Sequence, residues 1–211
     1  ITVPSSIAFL FFGPMMTEAL YFGISLEDSG YIGQVLRALS LGLVAFSINL
    51  ILIRGFNAFE DTRTQVISIL IINIISVGLS YASLEFLDSQ QVTIGLGTAF
   101  SLSYIAGLFI TLSLLKKHIG KLAFSTFAGH HAKLYLASIL AMAPLFALVY
   151  FFEWETAESS LIVRALRLGL ILALSGALYL LFAKLFKVAE IATLAEFGRG
   201  LLKKRKGRLD P

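Results

Sequence analysis

Six long apolar runs, separated by short polar turns, make up most of this chain of 211 residues. Each run holds about 20 residues, which as a helix crosses the roughly 30 Å hydrocarbon core of a bilayer. The predicted membrane spans are residues 4–23, 32–53, 65–84, 92–115, 134–152 and 161–186. The pattern therefore predicts an all-α integral membrane protein with six transmembrane helices.

Two of the turns carry signals that begin a helix. Ser25 and Asp28 have the spacing of a capping box at the start of the second helix. Asp61 or Thr64 is suited to cap the third helix, because a side-chain oxygen there accepts a free backbone N–H.

Composition divides the chain into three parts. A basic segment at 118–133 is predicted to be irregular and to lead into the fifth helix. The tail begins as an amphipathic helix and ends in the run KKRKGR, which is suited to attract anionic lipid. The predicted parts are four transmembrane helices at 1–117, the basic segment with a final helix pair at 118–187, and a basic cytoplasmic tail at 188–211.

The overall composition also indicates a membrane protein. Hydrophobic residues make up 57 % of the chain and charged residues only 14 %, whereas soluble domains carry roughly 25 % charged residues. The absence of cysteine excludes disulfides and cysteine-ligated metals. Because the chain starts at Ile1 without a preceding basic region, we interpret it as a piece of a longer protein without a signal peptide.

The charges of the turns predict an orientation. In alternate turns, the only charged residues are acidic. The remaining turns and the tail carry all the basic residues except Arg37, Arg164 and Arg167. The positive-inside rule assigns the basic side to the cytoplasm, so both ends of this chain are expected there.

The residue types favour no enzymatic chemistry. The sequence offers no nucleophile–base pair, metal-binding cluster or glycine loop for phosphate, so we predict that the protein is not an enzyme. His130 and His131 are adjacent and would point about 100° apart on a helix, which does not suit chelation. A chain held in a membrane is also not expected to bind nucleic acid.

Polar groups inside the predicted spans are costly and therefore informative. Glu18 is either a solvated interfacial residue or a carboxylate that faces a cavity. Asn49 and Asn73 either form hydrogen bonds between helices or line a hydrated passage.

Small residues repeat in the last two helices. Ala137 and Ala141 in the fifth span, and Gly169, Ala173 and Ala177 in the sixth, predict faces for close helix packing. The opposite faces either form a groove for a lipid tail, with Arg164 and Arg167 near headgroup phosphates, or only face ordinary bilayer lipid. The candidate groove residues are Ile139, Met142, Phe146, Tyr150, Ile171, Leu174, Leu178 and Phe182.

The charged segment at 54–64, RGFNAFEDTRT, is similar to a turn of the MurJ/MviN family of lipid II flippases. The family pattern there is a glycine-containing helix, then Arg-Ala-Phe-Tyr-Ala, two residues, and Asp-Thr-Arg-Thr-Pro. The matching residues are Gly42, Arg54, Phe56, Ala58, Asp61, Thr62, Arg63 and Thr64. The chain departs from the pattern at Gly55, Asn57 and Gln65.

Other stretches strengthen this resemblance, which covers nearly the whole chain. The segment FGISLEDS follows Gly13-Pro14, as a similar segment follows a Gly-Pro helix in the family. The runs at 95–103 and at 164–168 also resemble family segments.

The resemblance implies an architecture and an activity. The family has two six-helix lobes around a cavity, followed by a helix pair whose groove takes the polyprenyl tail. The six spans here would be the ninth to fourteenth, so a missing amino-terminal part of the same protein would complete it. The implied activity is flipping of the undecaprenyl-linked peptidoglycan precursor across the bacterial inner membrane by alternating access, with membrane lipids as further partners.

The resemblance also implies roles for residues. Arg54, Asp61 and Arg63 would be gate or headgroup residues at the cytoplasmic mouth. Some members use a sodium site with an Asn-x-x-x-Asp pair, where this chain has Asn73 and Val77. Valine offers no oxygen ligand, so we expect no cofactor and no such sodium site, while coupling to membrane potential or to a cation stays open.

Two other functions fit the same residues. One is export of another lipid-linked glycan or of a drug by a different member of the same superfamily. The other is a non-transporting membrane scaffold that recruits cell-wall proteins through its basic tail.

Overall fold

The computed structural model describes residues 1–21, 23–120, 124–152 and 160–188. These residues form six α-helices and no β-strand, and every helix is long and apolar enough to cross a membrane. The helices are α1 (Thr2–Leu20), α2 (Leu26–Ala58), α3 (Thr62–Phe86), α4 (Val92–Ile119), α5 (Phe124–Phe151) and α6 (Leu161–Leu185). The predicted fold class is therefore confirmed.

The helix bundle has two chemically different ends. Near the end of α2, Gly55 lies against Leu115 in the last turns of α4, so both helices reach the same end. We call it the basic end because its charged groups include Arg54, Arg63 and Lys116. The turns after α1 and α3 lie at the other, acidic end, which holds Glu27, Asp28, Glu85 and Asp88.

Helices α1 and α2 cross closely because a glycine lies at the crossing. A β-carbon at Gly33 would overlap the backbone of Pro14, and it would lie 2.8 Å from the Thr17 hydroxyl. That hydroxyl donates to the Ser29 carbonyl at 2.7 Å, and the Ser6 hydroxyl donates across the same interface. Close approach and interhelical hydrogen bonds therefore act together here.

Helices α2 and α4 run parallel and meet at Gly42 and Ser101. A β-carbon at Gly42 would lie 2.5 Å from the Ser101 α-carbon, so no side chain fits between the two helices. The buried Ser101 hydroxyl donates to the Ala38 carbonyl at 2.6 Å and accepts from the Gly42 N–H at 2.9 Å. One hydroxyl therefore fixes the relative depth of the two helices.

The third helix packs on α4 through a smaller contact. The buried hydroxyls of Ser68 and Thr111 are 2.7 Å apart and form a hydrogen bond, and Gly107 receives the side chain of Ile72. The opposite face of α3 is exposed, with Val77 at 69 % exposure. Helix α4 therefore lies behind both α2 and α3.

The last two helices pack on α1 through apolar side chains. The buried members of this cluster include Phe12 of α1, Met142 of α5 and Ile171 of α6. Phe146 joins it, with its ring centroid 5.3 Å from that of Phe11. This contact attaches the α5–α6 pair to the other four helices.

Both predicted caps form in the structure. Ser25 accepts the Asp28 N–H at 3.0 Å and donates its hydroxyl to the Asp28 carboxylate at 2.6 Å. Asp61, rather than Thr64, caps α3, because its Oδ1 accepts the Thr64 N–H at 3.0 Å.

The prediction of an irregular segment at 118–133 is wrong. Helix α4 continues to Ile119, and α5 already begins at Phe124. The rings of Phe127 and His131 have centroids 4.1 Å apart, a contact between residues four positions apart on one helix face. The segment was predicted to be irregular from its basic residues, although the spacing of its aromatic residues is helical. Residues 189–211 lie outside the described residues, as does the predicted amphipathic helix of the tail.

The predicted small-residue packing is confirmed for α5 and wrong for α6. Ala137 and Ala141 are completely buried. Gly169, Ala173 and Ala177 are exposed, and a β-carbon at Gly169 would meet nothing within 4 Å. The bulkier side chains of α6 fill the space beside α1 and α5, where they make more dispersion contacts than alanine would.

Candidate functional site

The turn between α2 and α3 is fixed by its backbone. Glu60 has a left-handed conformation with φ of 56°. Its N–H donates to the Asn57 carbonyl at 3.1 Å, and the Asp61 N–H donates to the Phe56 carbonyl at 3.0 Å. These two bonds form a Schellman motif, which satisfies carbonyls at the end of α2. Asp61 therefore ends one helix and caps the next.

The candidate gate residues all lie around this turn. Arg54 near the end of α2 and Arg63 at the start of α3 are exposed, while Asp61 is half-buried. Phe56 is completely buried and anchors the turn to the bundle. The structure thus places two exposed guanidinium groups and one capping carboxylate at the basic end.

Glu18 lies near the acidic end of α1. Its side chain is half-buried, and its Oε1 would lie 4.0 Å from a β-carbon at Gly30 of α2. The carboxylate is therefore positioned over the start of α2.

Arg37 is an interior cation that the sequence reasoning treated only as an exception to the charge pattern. It is half-buried, and its Nη2 donates to the Phe11 carbonyl at 3.0 Å. Its guanidinium carbon lies 5.9 Å from the Phe146 ring centroid. One side chain of α2 therefore contacts both α1 and α5. A cation inside a predicted span was a signal that could have identified this residue.

The two asparagines have different environments. Asn49 is buried, and its Nδ2 donates to the Tyr104 carbonyl of α4 at 3.1 Å. A hydrogen bond between helices was one of the two roles predicted for Asn49. Asn73 is exposed on α3, one turn from the exposed Val77.

Asn73 and Val77 of α3 stand at the two positions of the family-type sodium pair. Val77 stands where the pattern has a carboxylate, and its side chain has no oxygen to bind a cation. In the described part of the chain, no group of three or more His, Asp or Glu side chains is arranged to hold a metal.

The candidate residues of the final helix pair divide into two groups. Met142 and Ile171 are buried against α1, and Phe146, Leu178 and Phe182 pack on the same cluster. Ile139, Tyr150 and Leu174 are exposed. Arg164 and Arg167 are half-buried in the first turns of α6. The eight candidate residues for the lipid-tail groove therefore do not form a single open face.

These features define a multi-pass α-helical membrane protein in which several buried polar side chains join neighbouring helices. A family model described as "Lipid II flippase MurJ" matches residues 1–165, and neither a curated protein nor a solved structure gives a match. Because that match covers most of the chain, this protein belongs to the MurJ family of lipid II flippases, which are transporters rather than enzymes. The match ends within the first two turns of α6.

Proposed function

We propose that this protein moves lipid II from the inner to the outer leaflet of the bacterial cell membrane by alternating access. The family match over residues 1–165 carries the proposal. Six helices able to cross a bilayer agree with it. The reaction breaks no covalent bond, and no resident cofactor is part of the proposal.

The proposed orientation has the basic end in the cytoplasm. It is supported by the exposed Arg54 and Arg63 at one end and by acidic residues in the turns at the other. Cysteines introduced at the exposed Asn57 and Ser89 would test it in intact cells, in a cysteine-free background of the full-length protein, and residues 1–211 themselves contain no cysteine. An impermeant maleimide should label the Ser89 variant, and labelling of the Asn57 variant instead would reverse the orientation.

In this orientation the α2–α3 turn contacts the headgroup at the cytoplasmic mouth. Arg54 and Arg63 supply exposed positive charge that attracts a pyrophosphate, while Asp61 holds the turn in place. At the opposite end, Arg164 and Arg167, half-buried in the first turns of α6, are proposed to interact with headgroup phosphates. Among the candidate residues for the lipid-tail groove, the exposed ones are Ile139, Tyr150 and Leu174.

The decisive experiment is a flipping assay with the full-length protein in vesicles. Lipid II carrying a fluorescent peptide should become accessible on the far leaflet faster than in protein-free vesicles. The Arg54→Gln/Arg63→Gln double variant should flip more slowly at equal protein content. Equal rates with and without wild-type protein would reject the proposed function.

A further inference from the structure

A groove opens between α2 and α3 at the acidic end, with α4 as its floor. Its volume is about 510 Å³. Four polar side chains line it, namely Gln34 of α2, Ser83 of α3, Gln91 before α4 and Thr98 of α4. The rest of the lining is glycine, alanine, leucine, isoleucine and phenylalanine.

The polar side chains of the groove keep hydrogen-bonding capacity. The Ser83 hydroxyl donates to the Leu79 carbonyl at 3.0 Å, and the Thr98 hydroxyl donates to a carbonyl of its own helix at 2.9 Å. Their oxygens still have lone pairs that accept. The exposed amides of Gln34 and Gln91 make no hydrogen bond to any described residue. Donors and acceptors are therefore both available.

The lining chemistry limits what the groove binds. No lining residue is ionisable, so a phosphate would lose water without gaining a cation. The exposed amides of Gln34 and Gln91 offer donors and acceptors at the groove that an aliphatic chain would leave unused. A neutral group rich in hydroxyls and amides satisfies the polar groups and still covers the apolar walls.

We propose that this groove binds the uncharged sugar portion of a lipid-linked glycan. The proposal rests on the proposed function, because it assigns a subsite to the same substrate. Phe86 at the rim is 83 % exposed and offers an aromatic face to the C–H side of a sugar ring. With the acidic end outside, the groove receives the sugars after they have crossed and before the lipid leaves.

The test compares two lipids on the full-length protein in nanodiscs, namely lipid II and undecaprenyl pyrophosphate, which has no sugar. The Gln34→Leu/Gln91→Leu variant keeps side-chain size and removes both amides. It should bind lipid II about tenfold more weakly than wild type and undecaprenyl pyrophosphate equally well. Gln90→Leu, an exposed neighbour outside the lining, is the matched control and should change neither affinity.

A second measurement reports on the groove directly. Ala82 lines it, and a cysteine there should react with a maleimide more slowly in the presence of lipid II but not of undecaprenyl pyrophosphate. Equal loss of affinity for both lipids, or no loss, would overturn the proposal. An Ala82→Cys variant that is unreactive without any lipid would show that protein fills the groove, and would overturn it as well. Sugar-dependent binding without flipping would retain this subsite while rejecting the proposed function.

Discussion

The contacts among the first four helices differ in kind from the contact that attaches the final helix pair to them. Helices α1, α2 and α4 meet at glycines and buried hydroxyls, as at Gly33 with Thr17 and at Gly42 with Ser101. The α5–α6 pair meets α1 through an apolar and aromatic cluster. Lipid tails are as apolar as that cluster, so in a membrane the hydrogen bonds and close backbone contacts determine which helix surfaces meet.

This difference suggests different mechanical roles. A crossing that depends on one hydroxyl at 2.6 Å and 2.9 Å has a single register. An apolar interface allows neighbouring side chains to shift with a smaller loss. We therefore interpret α1, α2 and α4 as a rigid unit and α5–α6 as an attachment that is able to move relative to it.

The largest expected effect comes from adding one methyl group at the close crossing of α2 and α4. Gly42→Ala places a β-carbon 2.5 Å from the Ser101 α-carbon, a backbone atom that cannot rotate away. We expect a loss of about 3 kcal/mol in stability or no folded protein, at the upper end for overpacking. Thermal unfolding of the purified protein in detergent measures it.

Gly169→Ala is the matched control in α6. A β-carbon there would meet nothing within 4 Å, and alanine favours a helix over glycine. Its stability should be unchanged or higher by up to about 1 kcal/mol. Similar losses of stability in the Gly42 and Gly169 variants would contradict the division into a rigid unit and an apolar attachment.

The sequence predicted the elements of this fold better than their contacts. Run lengths and caps are local, so the six helices and the Asp61 cap could be predicted from their own residues. The Ser101–Gly42 contact joins residues from different helices, and nothing near either residue identifies its partner. The four-residue repeat in α6 defined a face at Ala173 and Ala177, but spacing alone does not show whether that face meets a helix or lipid.

The candidate site was predictable to the same extent. Arg54, Asp61 and Arg63 were predicted as candidates because they lie in one short charged segment that resembles a family turn, and their role stays a prediction. The groove at the acidic end was not found, since Gln34, Ser83 and Thr98 belong to three different helices. The groove exists because α2 and α3 diverge on one side of α4. The pattern of hydrophobic positions along the chain does not predict that divergence.

The next effect concerns the link between the two regions. Arg37→Met removes the hydrogen bond to the Phe11 carbonyl and the cation–π contact with Phe146. We expect a loss of about 2 kcal/mol, the sum expected for one charged hydrogen bond and a weak cation–π contact. Arg54→Met, the same change at an exposed arginine, should alter thermal stability by less than about 0.5 kcal/mol.

The link also predicts a change in coupling. If Arg37 connects the two regions, Phe146→Leu should cost less in the Arg37→Met background than in wild type, because both residues belong to one contact. Additive losses would show that the two side chains act independently.

A smaller effect is expected at the α2–α3 turn, where α2 of the rigid unit ends. Asp61→Ala removes the acceptor for the Thr64 N–H and should cost about 0.5–2 kcal/mol. Asp61→Asn keeps a capping oxygen and removes the charge, so its stability should stay close to wild type. Comparing flipping with protein abundance for both variants separates capping from gating. Wild-type flipping by an abundant Asn variant would remove any role for the charge.

The smallest effect is expected on the exposed face of α6. Ala177 lies on the small-residue face that does not meet α1 or α5, so Ala177→Trp should change stability by less than about 0.5 kcal/mol. Ala137→Trp is the matched contrast, because Ala137 is completely buried and an indole there must force the helices apart. Thermal stability of the full-length protein decides between the two environments. Strong destabilisation by Ala177→Trp would mean that another helix covers this face, and that α6 is fixed by small-residue packing after all.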